Sequence, residues 1–253
     1  MKFSLTNSMT LEIFPIKINK EIQRDEKIVD LILSSSKEKI QDGDIFVISQ
    51  KIISKQEGRL VNLSDVIPSE LAIGIAREYN KDPKLVEAIL VESKRIVRMY
   101  NEIIIVETHN GFICANAGVD ESNVENGHAT LLPIDPDKSA LNLQTKLKEK
   151  TKKKIAVIIS DTFGRAFRMG QTDVAIGIAG MDTIIDYEGT KDNFGKILRV
   201  TAIAISDELC SAAELVMGKT KNCPVAIIRN YKYEHIDSTI KSIIRPPNED
   251  LFR

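Results

Sequence analysis

The feature that most constrains this chain is the stretch from Ile155 to Gly180, whose sequence is IAVIISDTFGRAFRMGQTDVAIGIAG. Two apolar runs within it, 155–159 and 174–179, are rich in β-branched residues and predict strands that are buried in the core. The first strand is expected to stop abruptly at Ser160-Asp161-Thr162. A carboxylate and a hydroxyl would therefore lie where a buried strand reaches the surface.

Two arginines lie between these apolar runs. Arg165 and Arg168 are three positions apart and are flanked by Gly164 and Gly170. Arginine binds carboxylates and phosphates, and oxygen ligands suit hard divalent cations. Together with Asp161, the pattern suggests a site for a metal-bound, polyanionic ligand. The structural alternative is that the two arginines form ion pairs at the surface or at an interface.

The composition is that of an ordinary globular protein. Hydrophobic residues make up 43% and charged residues 28%, and 253 residues suffice for one large domain or two small interlocked ones. Because 35 basic and 36 acidic side chains nearly cancel, no overall field would attract nucleic acid or an anionic membrane. We therefore expect neither partner, and any anion has to be held by a local cluster.

The cysteines and the amino terminus indicate the compartment. Cys114, Cys210 and Cys223 are far apart, form no CxxC pair and have no histidine at ligand spacing, which argues against a disulfide framework or a zinc site. The first residues lack the apolar segment of a signal peptide, and no apolar run approaches the length of a membrane span. We expect a cytoplasmic protein.

Strand and helix patterns alternate irregularly along the chain. We predict strands at 11–16, 45–48, 103–107, 112–115, 155–159, 174–179, 199–205 and 225–228. We predict helices at about 28–36, 68–79, 83–92, 136–150 and 207–217. Neither a linker rich in proline and glycine nor a fixed repeat divides residues 1–253, and an Asn110-Gly111 hairpin interrupts the alternation. The pattern predicts an α+β fold with a mixed sheet.

A second acidic segment follows that hairpin. Asp120 and Asn123 come after small residues at a strand end, much as Asp161 does. The two acidic loops could converge on one cation, although each aspartate alone could be a helix cap or a turn former. Lys55 follows the strand at 45–48 and could reach a phosphate, or it could belong to a charged surface loop through Arg59.

Several motifs carry a resemblance when they are taken as a set. They are CANAGVDESNVENG at 114–127, LLPIDPDKSA at 131–140, ISDTFGRAFRMGQTDVAIGIAG at 159–180, and SDEL with LVMGK at 206–219. Further matches run from FPI at 14–16 and GDIFVISQKIISKQEGR at 43–59 to CPVAIIR at 223–229. The chain resembles the coenzyme F420-0:L-glutamate ligase family in its single-domain form, over nearly its whole length.

The resemblance implies an activity and an assembly. Members of the family are GTP-dependent ligases that add L-glutamate to F420-0, and then further γ-linked glutamates, with Mg²⁺ or Mn²⁺ and usually K⁺. The expected route is an acyl phosphate on the acceptor carboxylate, formed from the γ-phosphate of GTP and then displaced by the glutamate amine. The family also implies two intimately joined subdomains and a homodimer.

The resemblance also implies site residues. The family's metal ligands fall on Asp120, Asp161 and Thr162. Its nucleotide contacts fall on Asn19, Lys20, Glu21, Ile22, Ser49, Gln50, Lys55, Asn123, Met217, Gly218 and Lys219. We expect Lys55, Arg165 and Arg168 to act as catalytic residues that offset charge on the phosphoryl oxygens or bind the acidic acceptor.

One position departs from the family. Archaeal members have an acidic metal ligand where Lys219 stands here, in a longer, glycine-rich loop. A lysine cannot bind Mg²⁺ as a carboxylate does, so either a second metal is held differently or Lys219 contacts a phosphate directly. Two alternatives to the full activity stay open: a non-catalytic nucleotide-binding or cofactor-binding homologue, and a ligase of the same mechanism with a different carboxylate acceptor.

Overall fold

The computed structural model describes residues 10–250. Its strands are β1 (Glu12–Ile16), β2 (Ile45–Ser49), β3 (Leu60–Asn62), β4 (Ser93–Tyr100), β5 (Ile103–Thr108), β6 (Ile113–Ala115), β7 (His128–Thr130), β8 (Ala156–Arg165), β9 (Arg168–Ala179), β10 (Ile185–Asp186), β11 (Ala202–Ile203) and β12 (Val225–Arg229). Its α-helices are α1 (Ile28–Ser35), α2 (Gln50–Gln56), α3 (Glu70–Tyr79), α4 (Pro83–Val91), α5 (Pro136–Thr151) and α6 (Ile205–Met217).

The central sheet has five strands in the order β1-β12-β2-β8-β9. Only β2 and β8 are parallel, and the other neighbouring pairs are antiparallel. The predicted α+β class with a mixed sheet is therefore confirmed. The parallel register pairs Ser49 with Ser160, so the carboxyl ends of β2 and β8 lie side by side.

The centre of this sheet is the main hydrophobic core. Three segments are fully buried, as their continuous apolar runs predict: residues 45–48, 155–159 and 225–228. Helices α5 and α6 both pack against β9 and extend this core. Gly177 of β9 lies under the start of α5, where a Cβ atom would be 2.4 Å from the backbone oxygen of Pro136.

A second hydrophobic core lies around α3, α4 and the three-stranded sheet β4-β5-β6. Helix α4 begins as the sequence predicts, with Asp82 accepting from the backbone amide of Lys84, whereas α3 begins two residues later than predicted, because Ser69 caps it by accepting from the backbone amide of Ala72. The short antiparallel pair of β3 and β7 also contributes to this core. The division of the chain into two joined subdomains stays a prediction.

Three predicted segments were wrong. The strand expected to end at Ser160 continues as β8 to Arg165, because its pairing with β9 resumes after a bulge between Ile159 and Ser160. Burial ends near this point, but the strand does not. The loop expected after β2 is helix α2, since Ile52 and Ile53 turn into the core.

The third error concerns the strand expected at 199–205. Only Ala202–Ile203 is extended and paired, because its partner β10 is two residues long, and α6 already begins at Ile205. Strand β4 was not predicted at all, since most of its residues are exposed and two register shifts break the alternation of a regular strand. No helix among residues 10–250 combines the length and the apolar character needed to cross a membrane.

Candidate functional site

A cavity of about 560 Å³ opens where β2 and the buried part of β8 end. Crevices at the carboxyl ends of parallel strands are frequent ligand sites, because neighbouring chain segments diverge there. The residues predicted from the sequence that line this cavity are Lys20, Glu21, Ile22, Ser49, Gln50, Lys55, Asp120, Asn123, Asp161, Thr162, Met217, Gly218 and Lys219. Of the predicted nucleotide contacts, Asn19 is exposed beside this cavity and does not line it.

The loop with Asp120 is held in place by its own backbone. Asn116, Ala117 and Gly118 adopt successive left-handed conformations, and Asp120 then exchanges two backbone hydrogen bonds with Thr130, of 3.0 and 2.8 Å. Gly118 is required because a Cβ atom there would lie 2.6 Å from Leu132. The sharp bend therefore turns the Asp120 side chain into the cavity.

Two lysines of α2 connect this helix to the same loop. Lys51 and Lys55 are one helical turn apart. The Lys51 ammonium donates to Asp120 Oδ2 at 2.6 Å and to Ser122 Oγ at 2.7 Å. Lys55, which is 6% exposed, donates to the Asn123 carbonyl at 2.7 Å and to Glu21. Prediction from the sequence missed Lys51, although the α2 helix would have placed it beside Lys55.

Lys51 also sets the charge state of Asp120. Partial burial alone would raise the pKa of Asp120, but the ammonium of Lys51 and the backbone amide of Ser122 outweigh it and lower that pKa. Asp120 is therefore held ionised and oriented in the ligand-free protein.

Asp161 has the opposite electrostatic environment. Burial, together with the nearby charges of Asp173 and Asp120, raises its pKa from 3.8 to about 7, even though the backbone amide of Thr162 donates to it. Asp173 and Asp120 therefore lie near enough to Asp161 to cause a repulsion between carboxylates. A bound cation would relieve it.

Asp173 is the second residue that prediction from the sequence missed. It is 4% exposed, lines the cavity and lies opposite Thr162 across the β8-β9 hairpin. Its Oδ1 atom accepts from the Thr162 hydroxyl at 2.7 Å and from the Lys219 ammonium at 2.8 Å. The hairpin register gives this pairing once β8 is known to continue past Ser160.

The donor set fits a hard divalent cation. Within residues 10–250, no three histidine, cysteine or acidic side chains are arranged as a complete metal site. Asp120 and Asp161 would therefore need the Thr162 hydroxyl and oxygens from ligand or water. Carboxylate, hydroxyl and phosphate oxygens are the ligands that Mg²⁺ and Mn²⁺ prefer, and Mg²⁺ is usually bound by one or two carboxylates plus phosphates.

The predicted arginines lie elsewhere. Arg165 and Arg168 are at the exposed tip of the β8-β9 hairpin, and neither lines the cavity. The Arg165 guanidinium donates to the backbone oxygens of Met169 at 2.7 Å and Gly170 at 3.3 Å. The structure thus does not bring the arginines to the cavity of the same chain, and their catalytic role stays a prediction.

A second cavity, of about 630 Å³, lies between α1, α2 and α5. It is lined by exposed side chains of both charges, among which Lys150 and Asp30 form an ion pair of 2.8 Å. None of the residues predicted for the site lines it. The cavity at the strand ends is therefore the candidate site.

Comparisons with known proteins identify the family of the chain. The family model described as F420-0:Gamma-glutamyl ligase matches residues 16–230, a range that contains every predicted site residue. A protein of Methanothermobacter thermautotrophicus named coenzyme F420:L-glutamate ligase is 48% identical over 224 residues, which are 87% of this chain and 89% of that protein.

Two further relatives carry the same name. The protein of Methanocaldococcus jannaschii is 45% identical over 85% of this chain and 86% of its own length. The protein of Methanopyrus kandleri is 41% identical over 96% of this chain and 98% of its own length. The chain belongs to the F420-0:γ-glutamyl ligase family.

Proposed function

We propose that this protein is a GTP-dependent ligase that joins L-glutamate to coenzyme F420-0, and then adds further γ-linked glutamates. The observation that carries this proposal is the agreement between two independent facts. Relatives that align over 85% or more of the chain are named coenzyme F420:L-glutamate ligase. The cavity at the strand ends combines carboxylates with lysine ammonium groups, as a site for a metal-bound nucleotide requires.

The cavity lysines would bind the phosphates of GTP. Lys51, Lys55 and Lys219 all line the cavity, and each ammonium is now held by an oxygen of the protein. Phosphate oxygens can replace the partners of Lys51 and Lys55 or add to those of Lys219, since an ammonium is a compact charge with three donors. Positioning and charge neutralisation are the main contributions that a protein makes to phosphoryl transfer.

Asp120, Asp161 and the Thr162 hydroxyl would hold Mg²⁺ or Mn²⁺, and K⁺ is a further expected ion. A bound divalent cation would neutralise charge on the phosphate oxygens. The raised pKa of Asp161 supports this role, because burial and the charges of Asp173 and Asp120 disfavour its ionised form and a cation would stabilise that form. The protein's own part is to keep Asp120 ionised and to hold these oxygens in fixed positions.

The reaction would proceed in two displacements. A carboxylate oxygen of the acceptor attacks the γ-phosphorus of GTP, the bond to the bridging oxygen breaks, and GDP leaves. The neutral amine of glutamate then attacks the acyl carbon, phosphate leaves with the C–O electrons, and the nitrogen loses a proton to form the amide. The lysine ammonium groups would stabilise the negative charge that develops on the phosphoryl oxygens.

Arg165 and Arg168 would bind the acidic acceptor or the phosphoryl group. Because they lie at the exposed hairpin tip, this role requires the tip to move or to reach the site of another copy. We propose a homodimer in solution. Light scattering on the purified protein gives its mass directly. A monomer that forms product would contradict the idea that the arginines reach the site of another copy.

The decisive experiment is a product assay. The protein is incubated with GTP, Mg²⁺ or Mn²⁺, F420-0 and L-glutamate, and mass spectrometry follows GDP and glutamylated F420. Lys55→Met should lower the turnover strongly, whereas Lys196→Met, which changes an exposed lysine outside the cavity, should leave it unchanged. Absence of product with F420-0 but turnover with another phosphorylated acid would indicate a different acceptor, and absence of any turnover would indicate a non-catalytic homologue.

A further inference from the structure

We propose that Asp173 is a positioning residue that fixes the Lys219 ammonium over the Thr162 hydroxyl, so that Lys219 presents its ammonium in a fixed position to the phosphates of the nucleotide. This inference rests on the proposed nucleotide-dependent function. It assigns a role to a buried carboxylate that the sequence did not single out.

The location of Asp173 fits such a role. A buried carboxylate is costly unless it is paired and hydrogen-bonded, and Asp173 is 4% exposed on the wall of the cavity. It is held from two sides. Strand pairing places it opposite Thr162, and its backbone oxygen accepts from Ser211 Oγ of α6 at 2.9 Å.

The directions of the hydrogen bonds follow from the donors alone. A lysine ammonium can only donate, so Lys219 donates to Thr162 Oγ1 at 2.6 Å and to Asp173 Oδ1 at 2.8 Å. Thr162 has one hydroxyl hydrogen, and it is directed to Asp173 at 2.7 Å. Asp173 therefore turns the lone pairs of Thr162 away from itself, towards Lys219.

Lys219 depends on Asp173 for its position. Lys219 comes directly after Gly218, which caps the end of α6, and its side chain is 56% exposed. Its other acidic neighbour, Glu214, lies at 3.8 Å, which is too far for a hydrogen bond. Without Asp173, the long side chain would spread over several rotamers, and binding a phosphate would require it to be ordered again.

Within residues 10–250, the Lys219 ammonium uses two of its three donors, one for Thr162 and one for Asp173. The third can bind a phosphate oxygen without breaking either contact. Lys219 would then act as a cation that the protein itself supplies. Asp173 orients this ammonium by a hydrogen bond, much as outer hydrogen-bond partners orient metal ligands.

The test measures GTP affinity by calorimetry, in the presence of Mg²⁺ and without the acceptor. Asp173→Asn should weaken GTP binding by roughly 10- to 100-fold, the range found when a supporting hydrogen-bond partner is removed. If Asp173 acted only as a negative charge near the phosphates, the same substitution would tighten binding, and this result would overturn the proposal. Glu214→Gln is the control and should stay close to the wild type.

A double-mutant cycle separates positioning from a purely structural role. In the Lys219→Met background, Asp173→Asn should no longer weaken GTP binding, because the residue through which it acts is gone. If Asp173→Asn weakens binding by the same factor in both backgrounds, Asp173 does not act through Lys219. Asp173→Glu keeps the charge, should restore part of the affinity, and replaces the asparagine variant if that variant does not fold.

The cycle and the product assay fail in different ways. If the variants show the expected coupling in GTP affinity but the wild type makes no glutamylated product, the ligase function alone is contradicted. Wild-type protein that makes product, with equal effects of Asp173→Asn in both backgrounds, contradicts the role of Asp173 alone.

Discussion

Replacing Asp161 with asparagine should stabilise the metal-free protein above pH 7. The pKa of Asp161 is raised from 3.8 to about 7 in the folded chain, by burial and by the charges of Asp173 and Asp120. Between these two pH values the folded wild type keeps a proton that the unfolded chain loses. Its stability therefore falls as the pH rises from about 4 to about 7, and the full penalty is present above pH 7.

The magnitude follows from the two pKa values. Their difference is 7 − 3.8, or about 3, which corresponds to a ceiling of about 4 kcal/mol at ~1.36 kcal/mol for each pKa unit. Because the Asp161 side chain is partly exposed, solvent screening reduces this ceiling, and we expect a gain of about 1–2 kcal/mol. For a chain of this size, that gain corresponds to a rise in Tm of roughly 2–8 °C.

The assay is thermal and urea unfolding of the wild type and the Asp161→Asn variant in EDTA, at pH 5 and pH 8. The variant should gain more stability at pH 8 than at pH 5, and it should lose metal-dependent turnover. Asp237→Asn, which changes an exposed aspartate, is the control. A variant that is less stable than the wild type at pH 8, or a difference that is the same at both pH values, would refute the electrostatic assignment.

Further predictions concern the core. Asp44→Ala should cost about 3–5 kcal/mol in urea unfolding, because it leaves Arg229 buried without the carboxylate that binds it at 2.8 and 2.9 Å. Gly177→Ala should cost about 1–3 kcal/mol by pushing α5 from β9, whereas Gly164→Ala, whose Cβ would meet nothing within 4 Å, should be nearly neutral. Burial raises the pKa of Cys114 to about 12, so iodoacetamide at pH 8 should label it only after unfolding, as judged by peptide mass spectrometry.

The sequence was sufficient for most of the sheet. The apolar runs at Ile45–Ser49 and Val225–Arg229 are long, continuous and bounded by turn residues, and both are strands. The Pro136-Asp137 start signal also located α5, whose first turn is capped by Asp135. These segments could be predicted because burial on both faces leaves one clear pattern.

The arginines show where sequence proximity misleads. Arg165 is only four residues after Asp161, which suggested one site. In an extended strand each residue adds about 3.3 Å, so four residues separate the two backbones by roughly 13 Å. A strand assumed to end at Ser160 would have allowed the chain to fold back, whereas the observed hairpin carries Arg165 away from the cavity.

Asp173 was missed for the same reason. A polar residue before an apolar run looks like a strand terminus, and only the cross-strand register reveals its partner. The register shifts between Gly164 and Arg165, so only the pairs from Gly164–Gln171 onward place Thr162 opposite Asp173, and the sequence alone does not reveal this shift. Long-range pairing is thus the information that local patterns lack.

The three aspartates of the cavity differ in whether a lysine neutralises their charge. Within residues 10–250, Asp120 and Asp173 each form an ion pair with a lysine, whereas Asp161 forms none. Two of the three carboxylates are therefore already neutralised by the chain, and the uncompensated charge is concentrated on Asp161, whose pKa is raised. An incoming cation gains most there, since elsewhere it would have to displace Lys51 or Lys219. Metal and nucleotide should consequently bind cooperatively, because phosphate oxygens compensate Lys51 when a cation displaces it from Asp120.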